Sequence, residues 1–135
     1  MHEANGKAYP KFAIFASGRG SNATVLMDSF ISGFNLGEVC VLVSNHADAP
    51  VLERAKERGI ATVCIPHKGI PREEHDAAMF AVLQEHGAEH LLLAGYMRIL
   101  GSKFIQEFPG HILNIHPSLL PDFRGLRAIE RQWEE

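Results

Sequence analysis

The chain alternates two kinds of segment, and that alternation limits its fold more than any other feature. Val39–Ser44 (VCVLVS) is apolar from end to end, without the polar alternation of a half-exposed strand, so both of its faces must be covered. Lys11–Ala16 (KFAIFA), Ala61–Ile65, His90–Ala94 and Ile112–His116 (ILNIH) repeat the theme. Helical patterns lie between them. Asn22–Ile31 follows a glycine-rich turn. Pro50–Arg58 carries Val51, Leu52 and Ala55 on one face and stops at Gly59. Pro71–His86 opens with Pro and two glutamates, places Met79, Val82 and Leu83 at core spacing, and stops at Gly87. Ser102–Phe108 is a short helix before Pro109-Gly110, and a last helix is expected from near Gly125 to the end. Five strands joined by helices predict an α/β chain with a Rossmann-like, parallel, doubly wound sheet.

Size and composition agree with one such domain. The chain has 135 residues, of which 46% are hydrophobic and 21% charged, which excludes a disordered or low-complexity chain. The net charge of −3 argues against a broad nucleic-acid or anionic-membrane surface. Cys40 and Cys64 form no C-x-x-C pair and sit in apolar, β-rich runs, as reduced thiols of a cytoplasmic protein do. No apolar run approaches the roughly 18 residues of a membrane span. Residues 1–10 (MHEANGKAYP) lack the apolar stretch of a signal peptide and read as a mobile tail, leaving 11–135 as the domain.

In a parallel sheet, ligands sit beyond the carboxyl ends of the strands, and the loops there hold the unusual residues. Ser17-Gly18-Arg19-Gly20-Ser21-Asn22 joins the first strand to the first helix. Its glycines allow a tight turn and close approach, and the helix start that follows attracts a phosphate. The competing reading is a plain turn with Ser21 as N-cap. Gly18-x-Gly20-x-x-Ala23 also fits a dinucleotide fingerprint, but that fingerprint needs an acidic residue where the second strand ends, and Ser44-Asn45 stands there.

Asn114 and His116 lie two apart, so they share one side of the last strand at its carboxyl end. An amide beside an imidazole can hold a carbonyl oxygen and move a proton, or both can be hydrogen-bonded structural groups. Gly95-Tyr96-Met97-Arg98-Ile99-Leu100 could border a flat heterocycle or pack as core under a loop. Arg72 is either a solvated charge or a contact for a ligand carboxylate. The eight histidines form no H-E-x-x-H or His/Cys cluster, so no metal site is expected.

Together SGRGSN (17–22), VSNHADA (43–49), LERAKERGI (52–60), AGYMRIL (94–100) and NIHPSLLP (114–121) resemble the phosphoribosylglycinamide formyltransferases, the folate-dependent enzymes of purine (IMP) biosynthesis. The resemblance covers nearly the whole chain after the tail. It implies that Gly20, Ser21 and Asn22 bind the ribonucleotide phosphate. It implies that Arg72, Met97, Arg98, Ile99, Leu100 and Asn114 contact 10-formyltetrahydrofolate. Asn114 and His116 would then act at the formyl group, with no metal. Phe123-Arg124-Gly125 carries Arg where these enzymes usually have Pro, an arrangement closer to the methionyl-tRNA branch. Family members continue with further strands and a catalytic Asp beyond the position of Glu135. The expectation is therefore the N-terminal part of a formyltransferase domain, nearly inactive alone and prone to self-association through an exposed sheet edge. Two alternatives remain: a relative that binds ribonucleotide or folate without turnover, and a dinucleotide-binding oxidoreductase domain.

Overall fold

A computed structural model describes residues 3–4, 7–18, 20–33, 37–66, 68–96 and 100–115. Two short strands, β1 (Glu3–Ala4) and β2 (Lys7–Ala8), pair antiparallel within the segment expected as a tail. The rest runs β3 (Lys11–Ala16), α1 (Ser21–Ile31), β4 (Glu38–Ser44), α2 (Pro50–Glu57), β5 (Thr62–Cys64), α3 (Arg72–Glu85), β6 (His90–Leu93), α4 (Ser102–Glu107) and β7 (Ile112–Asn114). The five strands β3–β7 form one parallel sheet in the order β5-β4-β3-β6-β7. Every expected strand and the first four expected helices are present, with ends shifted by one or two residues. The expected helix from Gly125 lies outside the described residues.

The sheet is doubly wound because both faces of its central strand are apolar. Along β3, Phe12, Ile14 and Ala16 point to one side, and Ala13 and Phe15 to the other. The first side is covered by Ala23, Leu26, Met27 and Phe30 of α1 and by Val51, Leu52 and Ala55 of α2. The second is covered by Met79 and Leu83 of α3 and by Phe104 and Phe108 at α4. Phe12 to Ala16 are all buried, and burying one such Phe is worth about 1.5–3 kcal/mol relative to leaving it in water. The register between β3 and β4 slips once, so that Phe12 faces Val39 but Ala13 faces Val41. The extra residue is Cys40, and the two neighbours Cys40 and Val41 then pack on the same side of the sheet.

Helix ends follow the local chemistry. Gly59 (φ 72°) and Gly87 (φ 69°) take up the left-handed conformation that follows α2 and α3, as their positions in sequence suggest. Pro50 opens α2, where its missing N–H costs nothing. At the N-terminal end of β3, the Lys11 amide donates to Glu89 Oε1 at 2.9 Å, and the Glu89 amide donates back to the Lys11 carbonyl at 2.8 Å. That exchange fixes where β6 begins alongside β3.

Candidate functional site

Strand order reverses at β3: α1 and β4 lead to one side of it, while the chain returns through α3 to β6 on the other. The crevice beyond the carboxyl ends of β3 and β6 is where ligands bind in such sheets. Ser17-Gly18 and Gly20 leave β3 there, Ala94-Gly95-Tyr96 leave β6, and Asn114 closes β7 next to it. Phe15, Leu93 and Asn114 stand in one register row across β3, β6 and β7. With strands about 4.8 Å apart, Asn114 lies about 10 Å from Phe15.

The glycine turn is built more tightly than a plain turn would need. Gly20, and not Ser21, is the N-cap residue of α1, with φ 68° and no side-chain cap. This corrects the alternative in which Ser21 caps the helix; Ser21 is already its first residue and is exposed. The first amides of a helix have no partner within it, and the glycine at the N-cap brings no side chain to cap them. Thr24 strengthens the turn from below, its Oγ1 donating to the Gly20 carbonyl at 2.8 Å. The turn is also tied to its neighbour. Ser17 Oγ donates to Asn45 Oδ1 at 2.8 Å, and the Val51 amide of α2 donates to the Gly18 carbonyl at 3.4 Å.

The two glycines differ in what surrounds them. A Cβ on Gly18 (φ 64°) would meet nothing within 4 Å, so that face of the turn is open. A Cβ on Gly20 would run into the Cβ and Cγ2 of Val51. Gly20 is therefore required by the packing of α2 against α1 as well as by its backbone angle. Asn45 explains why the dinucleotide alternative lacks support: it is 3% exposed, and its amide oxygen is engaged by Ser17 where that fold would need a free carboxylate.

On the other side of the crevice, α3 begins with Arg72, exposed and in the first turn. Three and four residues further on, His75 and Asp76 are 1% and 8% exposed. His75 Nε2 lies 3.0 Å from the Ile65 carbonyl, which can only accept, so that nitrogen carries the proton. Asp76 Oδ2 accepts the Gly101 amide at 2.8 Å. These two buried polar groups were not among the expected site residues. Their sequence signal is weak, because polar residues in the first turns of a helix normally face water. Leu100 is 7% exposed and packs in the core with Phe15 and Phe104, while Tyr96 rests against Phe15 with ring centroids 5.3 Å apart.

Of the expected site residues, Gly20, Ser21, Asn22, Arg72, Leu100 and Asn114 are described and lie at the starts of helices or the ends of strands on this edge of the sheet. Asn114 is exposed, flanked by buried Leu113 and Ile115. Met97, Arg98, Ile99 and His116 lie outside the described residues. A groove of about 580 Å³ runs between α3 and α4, from Arg72 and Gly101 to Gln84 and Glu107. Neither the glycine turn nor Asn114 lines it, so among the expected residues that are described it includes Arg72 alone. Burial pushes the Cys40 thiol from its ordinary 9.0 up to about 11, and burial together with the nearby Asp48 carboxylate raises that of Cys64, so neither thiol is activated by its surroundings. No group of three metal-ligating side chains occurs among the described residues. None of the described helices is long and apolar enough to cross a membrane.

Comparison with known proteins agrees with this fold. The family model "Formyl transferase" matches residues 10–135. A phosphoribosylglycinamide formyltransferase of Haemophilus influenzae is 41% identical over 125 residues, covering 92% of this chain and 59% of that protein. The trifunctional purine biosynthetic protein adenosine-3 of Gallus gallus is 43% identical over 119 residues, covering 87% of this chain and 12% of that protein. The crystal structure of glycinamide ribonucleotide transformylase 1 from Symbiobacterium toebii superposes with a TM-score of 0.75 at 38% identity, covering 93% of this chain and 59% of that one. The chain thus spans about three fifths of the length of the single-function relatives.

The contrast between the two glycines is testable by stability. Gly18→Ala should cost about 1–2 kcal/mol, the strain of a left-handed residue with a side chain. Gly20→Ala should cost clearly more, because Val51 must also move, and in the Val51→Gly background, which removes both clashing atoms, its cost should fall towards that of Gly18→Ala. Urea unfolding of the five proteins, the parent and the Val51 variant included, measures this; equal costs at the two positions in the parent background would contradict it.

Proposed function

Because the chain belongs to the formyl transferase family, we propose that residues 11–135 are the N-terminal part of a domain that moves a formyl group from 10-formyltetrahydrofolate to the amine of phosphoribosylglycinamide. The observation that carries the reading is the meeting of three features on one edge of the sheet. An uncapped helix start with an open glycine turn, an exposed amide at the end of β7, and the start of α3 all lie around the reversal of strand order. In this reading Gly20, Ser21 and Asn22 hold the ribonucleotide phosphate through helix-start amides. Arg72 and Leu100, with Met97, Arg98 and Ile99, border the folate. The two small molecules are the partners, no metal takes part, and the reaction belongs to the cytoplasm.

The chemistry needs no covalent enzyme intermediate. The substrate amine attacks the formyl carbon, a C–N bond forms, and the carbonyl electron pair moves onto oxygen. Asn114 donates a hydrogen bond to that oxyanion. Collapse of the intermediate breaks the bond from carbon to the folate nitrogen, and the proton lost by the amine passes to that nitrogen through His116. One donor of this kind is worth about 3 kcal/mol in the transition state. The relatives' remaining length is where this reading looks for the rest of the pocket, including the carboxylate that would orient His116. The outer edge of β7 is one edge of the described sheet, and we expect copies of the chain to pair there.

Formyl transfer by the chain, alone and joined to the C-terminal segment of a relative, tests the assignment. The joined protein should turn over far faster than the chain alone. In it, His116→Ala should lower kcat by about 100-fold or more while both dissociation constants change little, since it acts in the transition state, and Asn114→Ala should lower kcat as much while also weakening folate binding. Losses confined to binding would contradict the catalytic roles, and binding without turnover in the joined protein would favour the non-catalytic relative. Sedimentation of the chain at rising concentration should show self-association; a monomer throughout would remove the edge-pairing expectation.

A further inference from the structure

Asp76 is the one buried carboxylate among the described residues. It lies one helical turn after Arg72 on α3, and its Oδ2 takes the amide of Gly101, the N-cap residue of α4, at 2.8 Å. Its other oxygen, Oδ1, is buried with no hydrogen-bond partner. An acceptor buried in this way is costly, so a carboxylate here is not explained by stability alone.

The contact is also close enough for a side chain opposite to disturb it. Gly101 has φ −72°, a conformation open to any side chain, so its backbone angle does not call for glycine. A Cβ there would come within 2.7 Å of Asp76 Oδ2 and 3.8 Å of Arg72 Cδ. A side chain at this position would have to push the carboxylate aside, and the stem of Arg72 lies over the same spot. Leu100, the residue before Gly101, is anchored in the core with Phe15 and Phe104. One carboxylate therefore joins the element that carries Arg72 to the residue that follows Leu100.

We propose that Asp76 is a positioning residue: through the Gly101 amide it fixes Arg72 and Leu100 relative to each other, and so shapes the folate side of the crevice without touching the folate. The last part rests on the reading of Arg72 and Leu100 as folate contacts. Asp76 acts through an acceptor oxygen in one place, so an amide oxygen should replace it, and a methyl group at Gly101 should disturb it even with the carboxylate present.

The test uses the whole chain, with tetrahydrofolate and phosphoribosylglycinamide as probes, and reads Gly101 amide exchange by NMR beside binding by calorimetry. In Asp76→Ala the Gly101 amide should exchange about tenfold faster or more. The tetrahydrofolate dissociation constant should rise about tenfold while that of phosphoribosylglycinamide stays within about twofold. Gly101→Ala should weaken tetrahydrofolate binding in the same selective way, and Asp76→Asn should restore both readouts. Unchanged exchange in Asp76→Ala, an Asn variant as impaired as the Ala variant, or equal weakening of both ligands would overturn the proposal. If neither the unaltered chain nor the protein joined to a relative's C-terminal segment binds tetrahydrofolate, the folate reading fails, and the Gly101 exchange rates of the Ala and Asn variants still decide whether Asp76 holds the junction.

Discussion

Parallel strands cannot be joined by tight turns, and the rest of this molecule depends on that constraint. Each return to the sheet needs a crossover, so every strand from β3 to β7 points its carboxyl end to the same edge. The apolar faces of β3 decide what the crossovers must cover. Phe12, Ile14 and Ala16 call for α1 and α2 on one side, and Ala13 and Phe15 call for α3 and α4 on the other. The two layers meet at the central strand, the order of strands reverses there, and the loops with open glycines and exposed polar groups collect at the reversal. The site is thus a consequence of how the core is covered.

Where the core and the site share a residue, the two demands are hard to separate. Gly20 caps α1 at the ligand edge of the sheet, yet its missing side chain also lets Val51 of α2 approach. Leu100, proposed as a folate contact, is itself core. His75 and Asp76 are buried polar residues at the start of α3, one bound to the end of β5 and the other to the start of α4. A polar group in such a place gives direction, because a hydrogen bond fixes angle and register where an apolar contact only fixes proximity.

Much of this was legible from the residues. Continuous apolar runs such as VCVLVS fixed the parallel sheet, because only strands covered on both faces lack polar alternation. Gly59 and Gly87 marked helix ends, and Pro50 a helix start. The glycine turn and Asn114 could be placed at the ligand edge by counting from strand ends. The N-cap of α1 was not legible, since Gly20 and Ser21 both favour that position and only the left-handed angle at Gly20 decides between them. The bulge at Cys40 was also hidden, because an apolar run looks the same with or without one extra residue. Asp76 could not be read from periodicity, since its partner, the Gly101 amide, is 25 residues away and leaves no side-chain signature.

The account stands or falls on ligands binding across the carboxyl ends of β3, β6 and β7, and a residue-resolved NMR titration of the isotope-labelled chain measures that directly. Added phosphoribosylglycinamide should move the amides of Gly18 and Gly20 to Ala23 first, and added tetrahydrofolate should move those of Arg72, Gly95, Leu100 and Asn114. In both cases the amides at the opposite edge, at Glu38, Glu89 and His111, should stay in place. Shifts gathered at that opposite edge, or along the α3–α4 groove at Gln84 and Glu107 with the glycine turn unmoved, would contradict the account.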